Sequence, residues 1–330
     1  MKKILPYYSK FIFTNSGSEA VFKSLRICKA ISKKNLIVAC AGSWHGSSDK
    51  LLFNATKNLK PESLSDGLSE LDKKNIRFIP YNDIKKTKSI LDKIKKKISC
   101  IIIEPIQGSL PIANVKDYLH YIDFFCKKNN IILIYDEVIT GLRVNCSSAQ
   151  SYFQKKPDIS IFGKCFGGGM PIGIIAINSK IYNKIKNNKK RIFFGGTFSA
   201  NSLTSHFGKI TTQYIYNNKK KIFKTLYKKS DFFTNQLNTF IEKNKIDAKV
   251  YSFKSIIRIV FSKKNISNRT QRDFMESKNK KIINKLKHFL FKKRIVYPSN
   301  GIIFFSDKTT FNDIKYTLKF IKKGLLEFFT

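Results

Sequence analysis

Pro157-Asp158-Ile159-Ser160-Ile161-Phe162-Gly163-Lys164-Cys165-Phe166-Gly167-Gly168-Gly169-Met170-Pro171 is a short apolar strand that meets a lysine and then runs into three glycines and a proline. Lys164 is the one lysine of the chain in such a setting. An ammonium at the end of a buried strand is poorly solvated, and desolvation lowers its pKa. A lysine that is neutral part of the time attacks a carbonyl and forms an imine. Lys164 therefore reads as a Schiff-base lysine, and the strand before it belongs to a set that decides the fold.

The other members of that set are short, continuous and apolar: 36–40, 98–104, 131–138 and 172–177, beside 160–163 in the quoted stretch. Between them, 118–126 reads as a helix, and Ser18 is expected to cap a helix reaching about Ser32 with Val21, Leu25, Cys28 and Ile31 on one face. A Gly-Ser-Trp-His-Gly turn follows at 42–46, and the polar stretch 54–67 is expected to be a surface loop. Continuous apolar strands alternating with helices imply an α/β fold with a mostly parallel sheet covered on both faces. Beyond about residue 215 the pattern changes to long Lys-rich helices with short strands at 250–252, 256–261 and 302–305. The expected division is a large domain over 1–215 and a smaller α+β domain over 216–330.

The 330 residues, 42% of them hydrophobic, suffice for one large core and a smaller one. No apolar run approaches the roughly 18 residues that span a bilayer. The first ten residues are too short and too aromatic for a signal peptide. The six cysteines show neither CxxC pairs nor zinc spacing, and a cytoplasmic chain with reduced thiols and no metal site is expected. The net charge of +41 suggests nucleic acid, but only eight of the 63 basic residues are Arg, the residue that planar phosphate and base recognition favours. Between residues 98 and 179 seven basic residues face six acids, so the excess lies elsewhere, in runs such as Asn217-Asn218-Lys219-Lys220-Lys221. Compositional bias with solvated lysines explains it better than a nucleic-acid partner.

Several segments could serve an imine-forming lysine. Asp136 ends the apolar strand 131–136, where open α/β sheets bind ligands at the carboxyl edge. There it could keep a pyridine nitrogen protonated, or it could cap a neighbouring helix or pair with Arg143. Asn15-Ser16-Gly17-Ser18-Glu19-Ala20 places Gly17 and Ser18 at a helix start, a site for phosphate as well as an ordinary cap. Trp44, the single tryptophan, sits beside His45 in the glycine-flanked turn and could stack on a flat ring. Gln107 could donate to a phenolic oxygen, and the loop 195–199 offers backbone donors and the Thr197 hydroxyl, or is a plain turn.

Taken together, Phe13 to Ala20, Ser43-Trp44-His45-Gly46, Glu104-Pro105-Ile106-Gln107-Gly108, the 136–143 segment, Ala149 to Phe153, the lysine segment and Gly196 to Asn201 resemble the class III pyridoxal-phosphate aminotransferases of fold type I. Within that family the likeness is greatest to the glutamate-1-semialdehyde 2,1-aminomutases, and it is dense from about residue 11 to 206. The resemblance implies pyridoxal 5′-phosphate as cofactor, with Lys164 as its Schiff-base partner and proton carrier and Asp136 on its ring nitrogen. It implies that Gly17 and Ser18 hold the phosphate, that Trp44, with His45 beside it, and Val138 take the two ring faces, and that Gln107 reaches the phenolic oxygen. Thr197 would contact the cofactor of a second subunit, hence a homodimer. The implied reaction is amino transfer on a small amino, aldehyde or keto compound; the alternatives are a catalytically impaired homologue that dimerises or binds anions, and an epimerase or decarboxylase on the same fold. Family members carry a long segment before the Ser-Gly-Ser-Glu motif, and the chain is expected to be a shortened enzyme or the downstream part of a split one. Near the C-terminus, Tyr297-Pro298-Ser299 resembles the aminomutases' Pro-Ser segment without its acidic residue, and Asn201-Ser202 stands in place of Asn-Pro.

Overall fold

The computed structural model describes residues 1–262 and 264–329. The chain divides into two compact units: Met1–Pro105 with Asn114–Asn218, and Ile106–Ala113 with the chain from Lys219 onward.

The first unit is built on a seven-stranded sheet. Its strands are β1 (Lys10–Thr14), β2 (Leu36–Cys40), β5 (Ile76–Ile79), β6 (Ile98–Ile103), β7 (Ile132–Asp136), β8 (Ile159–Gly163) and β9 (Gly173–Ile177). The spatial order is β1-β9-β8-β7-β6-β2-β5. The pairs β5/β2, β2/β6, β6/β7 and β7/β8 are parallel, while β9 runs antiparallel to both β8 and β1. β1 therefore points the same way as the parallel strands. The Ile-rich strands β6 to β9 are buried along their whole length, as expected for strands covered on both faces. The mostly parallel α/β sheet implied by the apolar runs is thus the observed one.

Two local expectations need correction. The polar stretch 54–67 is not simply a loop, because it contains an antiparallel hairpin of β3 (Phe53–Ala55) and β4 (Pro61–Ser63) whose first residue, Phe53, is buried. Ser18 does not cap the first helix, α1 (Gly17–Ser32). Ser16 does, with extended backbone and its hydroxyl accepting the Glu19 N–H at 3.1 Å. Glu19 reaches back past the cap to accept the Asn15 N–H at 2.7 Å, so the helix start is tied to the residue before Ser16 as well as capped by its hydroxyl. Strands β1 and β5 are too short and too mixed in polarity to stand out in the sequence.

The second unit has a three-stranded antiparallel sheet of β10 (Lys249–Phe253), β11 (Ile256–Val260) and β12 (Ile302–Phe304). The helices Lys219–Lys243, Lys280–Lys292 and Phe311–Phe329 supply Phe233, Leu286, Leu290 and Leu318 to its core. Their lysines mostly face outward, but Lys229 is buried and donates to the Ser306 and Asp307 carbonyls at 3.1 and 2.9 Å. No helix among the described residues is long and apolar enough to cross a membrane.

Candidate active site

Because β1, β2, β6, β7 and β8 share a direction, their carboxyl ends lie along one edge, and each continues into a chemically distinctive residue. β1 leads to Ser16-Gly17-Ser18 at the start of α1, and β2 to the Trp44-His45-Gly46 turn. β6 leads to Glu104, β7 ends on Asp136 and β8 is followed at once by Lys164. β9 runs the other way and brings Met170, Pro171 and Ile172 to the same edge. A cleft of about 300 Å³ is lined there by Gly17, Ser18, Trp44, His45, Asp136, Val138 and Lys164, among others. That volume is at the low end for small-molecule sites.

Lys164 leaves the strand in a left-handed conformation, φ 47°, which costs a non-glycine residue about 1 kcal/mol or more. The side chain is open to solvent within the cleft rather than enclosed, yet it is surrounded by enough protein that desolvation holds its pKa below the ordinary lysine value. The Asp136 carboxylate opposes that shift, and the Arg143 charge adds to it.

Asp136 is buried and doubly fixed. Its Oδ2 lies 2.8 Å from His45 Nδ1, and its Oδ1 accepts the Val138 N–H at 3.1 Å. Arg143 Nη1 donates to the Ile139 carbonyl at 2.7 Å. His45 Nε2 is buried without a partner. Glu104 Oε2 accepts the Trp44 N–H at 3.0 Å and so pins the turn. Trp44 remains 46% exposed over the cleft. Gly46, at φ 81°, brings the turn onto α1: a Cβ there would stand 2.1 Å from Ser18 Oγ, which accepts the Ser47 N–H at 3.1 Å. Val138 lies against Gly17, whose Cβ would meet Cγ2 at 2.9 Å. With Ser16 capping Glu19, the Gly17 and Ser18 N–H groups keep no protein acceptor among the described residues, and they carry the positive end of the α1 dipole.

Behind Asp136 stands an acid that the strand pattern did not single out. Glu137 is fully buried and accepts the Thr140 hydroxyl at 2.5 Å and the Ala149 and Gln150 N–H groups at 2.7 Å each. Burial outweighs these donors and pushes its pKa from 4.5 to about 7. A carboxyl raised on folding binds more protons in the native state. Its stability contribution is therefore complete below pH 4.5 and lost as pH climbs to about 7. Glu137→Gln is expected to remove this dependence. The mutant amide sets an NH₂ against a backbone N–H, which costs roughly 1–3 kcal/mol. The wild-type advantage in thermal midpoint should be greatest at low pH and shrink through that window, and an advantage independent of pH would refute this.

The structure brings Lys164, Asp136, Gly17, Ser18, Trp44, His45 and Val138 together. Gln107 is buried in Ile106–Ala113, which belongs to the second unit, and Thr197 lies on an exposed turn of the first. Sequence reading missed the anchoring by Ser16, Glu104 and Gly46. The Ser-x-x-Glu spacing could have revealed the first; the others act across elements far apart in the chain.

The class-III aminotransferase family model matches residues 1–288. The chain belongs to the class-III aminotransferases, and the fold-type I architecture expected from the motifs holds. The glutamate-1-semialdehyde 2,1-aminomutase of Methanococcus vannielii is 35% identical over 257 residues, covering 77% of this chain and 59% of that protein's length. That of Thermosipho africanus is 31% identical over 326 residues, 97% of this chain and 75% of the relative. A solved glutamate-1-semialdehyde-aminomutase from Pseudomonas aeruginosa PAO1, in complex with PMP, shares the fold at TM-score 0.87 over 99% of this chain and 73% of its own, with 14% identity.

Proposed function

We propose that the cleft holds pyridoxal 5′-phosphate and that the chain is an enzyme of amino transfer, of aminotransferase or aminomutase type, acting on a small amino, aldehyde or keto compound. The observation that carries this reading is the meeting, in one cleft, of a lysine with a depressed pKa, a fixed buried carboxylate and a helix start with open N–H groups. The residues fit the group. The Gly17 and Ser18 N–H groups suit a phosphate, Asp136 suits a protonated ring nitrogen, and Trp44 and Val138 suit the faces of a flat ring. When bound, the cofactor supplies an aldehyde carbon and a ring that accepts electrons. The neutral Nζ of Lys164 would be the amine that holds that carbon, with loss of water, and when released would be the base that carries a proton between the substrate carbon and the cofactor carbon. Asp136, held by His45 and the Val138 N–H, would be the carboxylate offered to the ring nitrogen.

A homodimer, with Thr197 reaching the partner's cofactor, is part of the same proposal. Leu203, Phe207, Ile210 and Tyr214 form an exposed stripe on the helix Ser202–Asn217, close in sequence to the Thr197 turn, and this supports it. Titrating the chain with pyridoxal phosphate should give a saturable yellow species at one equivalent, followed by amine exchange with a glutamate-1-semialdehyde-type or other amino donor. No uptake would overturn the reading, and uptake without exchange by any donor would point to the non-catalytic alternative.

A further inference from the structure

Building on the proposed homodimer, we infer that Lys23 is a positioning residue: through Glu19 it ties the helix start at Gly17 and Ser18 to the loop 193–199. One buried ion pair would then set both the cofactor site of a subunit and the surface that the subunit offers to a second copy of this chain. Thr197 can serve a partner's cofactor only from a loop that is held in place, and Lys23 supplies the hold. Every residue of the tie lies in the first unit.

Lys23 follows Glu19 by one turn of α1 and is only 3% exposed. Lysines are almost never buried to that degree unless paired. Its Nζ donates to Glu19 Oε1 and, at 2.8 Å, to the carbonyl of Gly195, 172 residues further along the chain. Glu19 Oε2 in turn accepts the Asn15 N–H at 2.7 Å. Burial raises the Glu19 pKa, but the Lys23 and Asn15 donors outweigh it and hold the carboxyl below its ordinary 4.5, so the pair is ionic at neutral pH. A continuous path of hydrogen bonds thus runs from Asn15 through Glu19 and Lys23 to Gly195. It begins just before Gly17 and ends just before Thr197.

The loop so held is open to solvent where it carries its aromatic and hydroxyl groups: Phe193, Thr197 and Phe198 are all exposed. Arg26, on the next turn of α1, donates its Nη1 to the Phe193 carbonyl at 2.6 Å. The helix therefore grips the loop at two carbonyls, with a buried cation and an exposed one. The fit is close at Gly196, where a Cβ would stand 2.9 Å from Ser199 Oγ, 3.4 Å from Glu19 Oε1 and 3.5 Å from Lys23 Nζ. The Ser199 N–H donates to the Gly196 carbonyl at 3.0 Å and closes the turn that displays Thr197 and Phe198. In sequence this turn leads straight into the exposed stripe Leu203, Phe207, Ile210 and Tyr214 of the helix Ser202–Asn217, so an apolar surface suited to a second copy continues from loop to helix. A loop ordered before association loses less freedom on docking, and a fixed hydroxyl binds a phosphate more tightly than a mobile one.

The test compares the wild-type chain with Lys23→Met, Thr197→Val and the double variant. The dimer dissociation constant is read by sedimentation without cofactor. Half-saturating concentrations are read for pyridoxal phosphate and for pyridoxal, which lacks the phosphate. Lys23→Met should raise the dimer constant about tenfold or more, the scale of a lost hydrogen bond to a charged group. It should weaken pyridoxal phosphate by a similar factor and leave pyridoxal unchanged. Because Lys23 acts through the loop, the double variant should bind pyridoxal phosphate no more weakly than Lys23→Met alone. A lysine that merely supports the fold would lower the thermal midpoint, give additive losses and spare the dimer constant, and that result overturns the proposal. A wild-type chain that stays monomeric overturns it too. A wild type that dimerises through Lys23 but takes up no pyridoxal phosphate overturns the cofactor reading while supporting the loop tie. Should Lys23→Met fail to fold, Arg26→Met removes the exposed tie alone and should raise the dimer constant in the same direction; no change there counts against the proposal in the same way.

Discussion

Lys164→Ala is expected to yield a folded protein that no longer retains pyridoxal phosphate covalently and shows no measurable amino transfer. Loss of the proton carrier alone should lower the rate roughly 10²–10⁴-fold, and loss of the attachment point adds to that. The fold should survive, because Lys164 lies just after β8, open to solvent, and its removal takes no contact from the sheet. The chain carries 63 basic residues, so a color change alone would not identify the site. Borohydride reduction followed by peptide mass mapping would. The adduct should fall on Lys164 in the wild type, and adducts forming equally fast elsewhere in the alanine variant would sink the assignment. The rate of attachment should rise with pH and level off below the ordinary lysine value of 10.5, because burial depresses the Lys164 pKa and the neutral amine is the attacking form.

The second large effect is expected at Asp136. Asp136→Asn keeps the shape and an oxygen for the Val138 N–H but removes the charge offered to the ring nitrogen. Amino transfer should fall roughly 10²–10³-fold, the scale seen when one preorganised electrostatic partner is removed, while the thermal midpoint stays near wild type. Asp136→Ala should lose activity at least as severely and also lose stability. It strips His45 Nδ1 of the Asp136 carboxylate while Nε2 is already unpartnered, which costs roughly 1–3 kcal/mol. Comparing the two variants separates a role in chemistry from a role in packing. Equal loss of stability in both, with the rate unchanged in the asparagine variant, would make Asp136 a structural residue.

How much of this was legible in the chain differs from residue to residue. Lys164 and Asp136 could be read because each terminates a run of apolar residues, and a charge at such a boundary is visible without knowing its neighbours. The strand 36–40 could be read to the residue, since burial on both faces leaves it no polar positions. β1 and β5 could not. Lys10-Phe-Ile-Phe-Thr14 and Ile76-Arg-Phe-Ile79 are short and mixed in polarity, and they become strands through pairing with β9 and β2. Ser18 was misjudged as the cap because two serines flank Gly17, and only the extended backbone of Ser16 shows which one holds the Glu19 N–H. Glu137 went unremarked because its partners, Ala149 and Gln150, lie a dozen residues away.

The sequence alone determined the parallel α/β sheet and the identity of the lysine, the carboxylate and the helix start, because periodicity, burial and capping are encoded within a few consecutive residues. Only the tertiary structure decided that His45 grips Asp136 from 91 residues away, that Glu104 pins the Trp44 turn from 60 residues away, and that Lys23 holds the Gly195 carbonyl from 172 residues away. Hydrogen bonds between such distant residues depend on which strand ends share an edge, and strand order is set by the packing of the whole unit rather than by any local pattern.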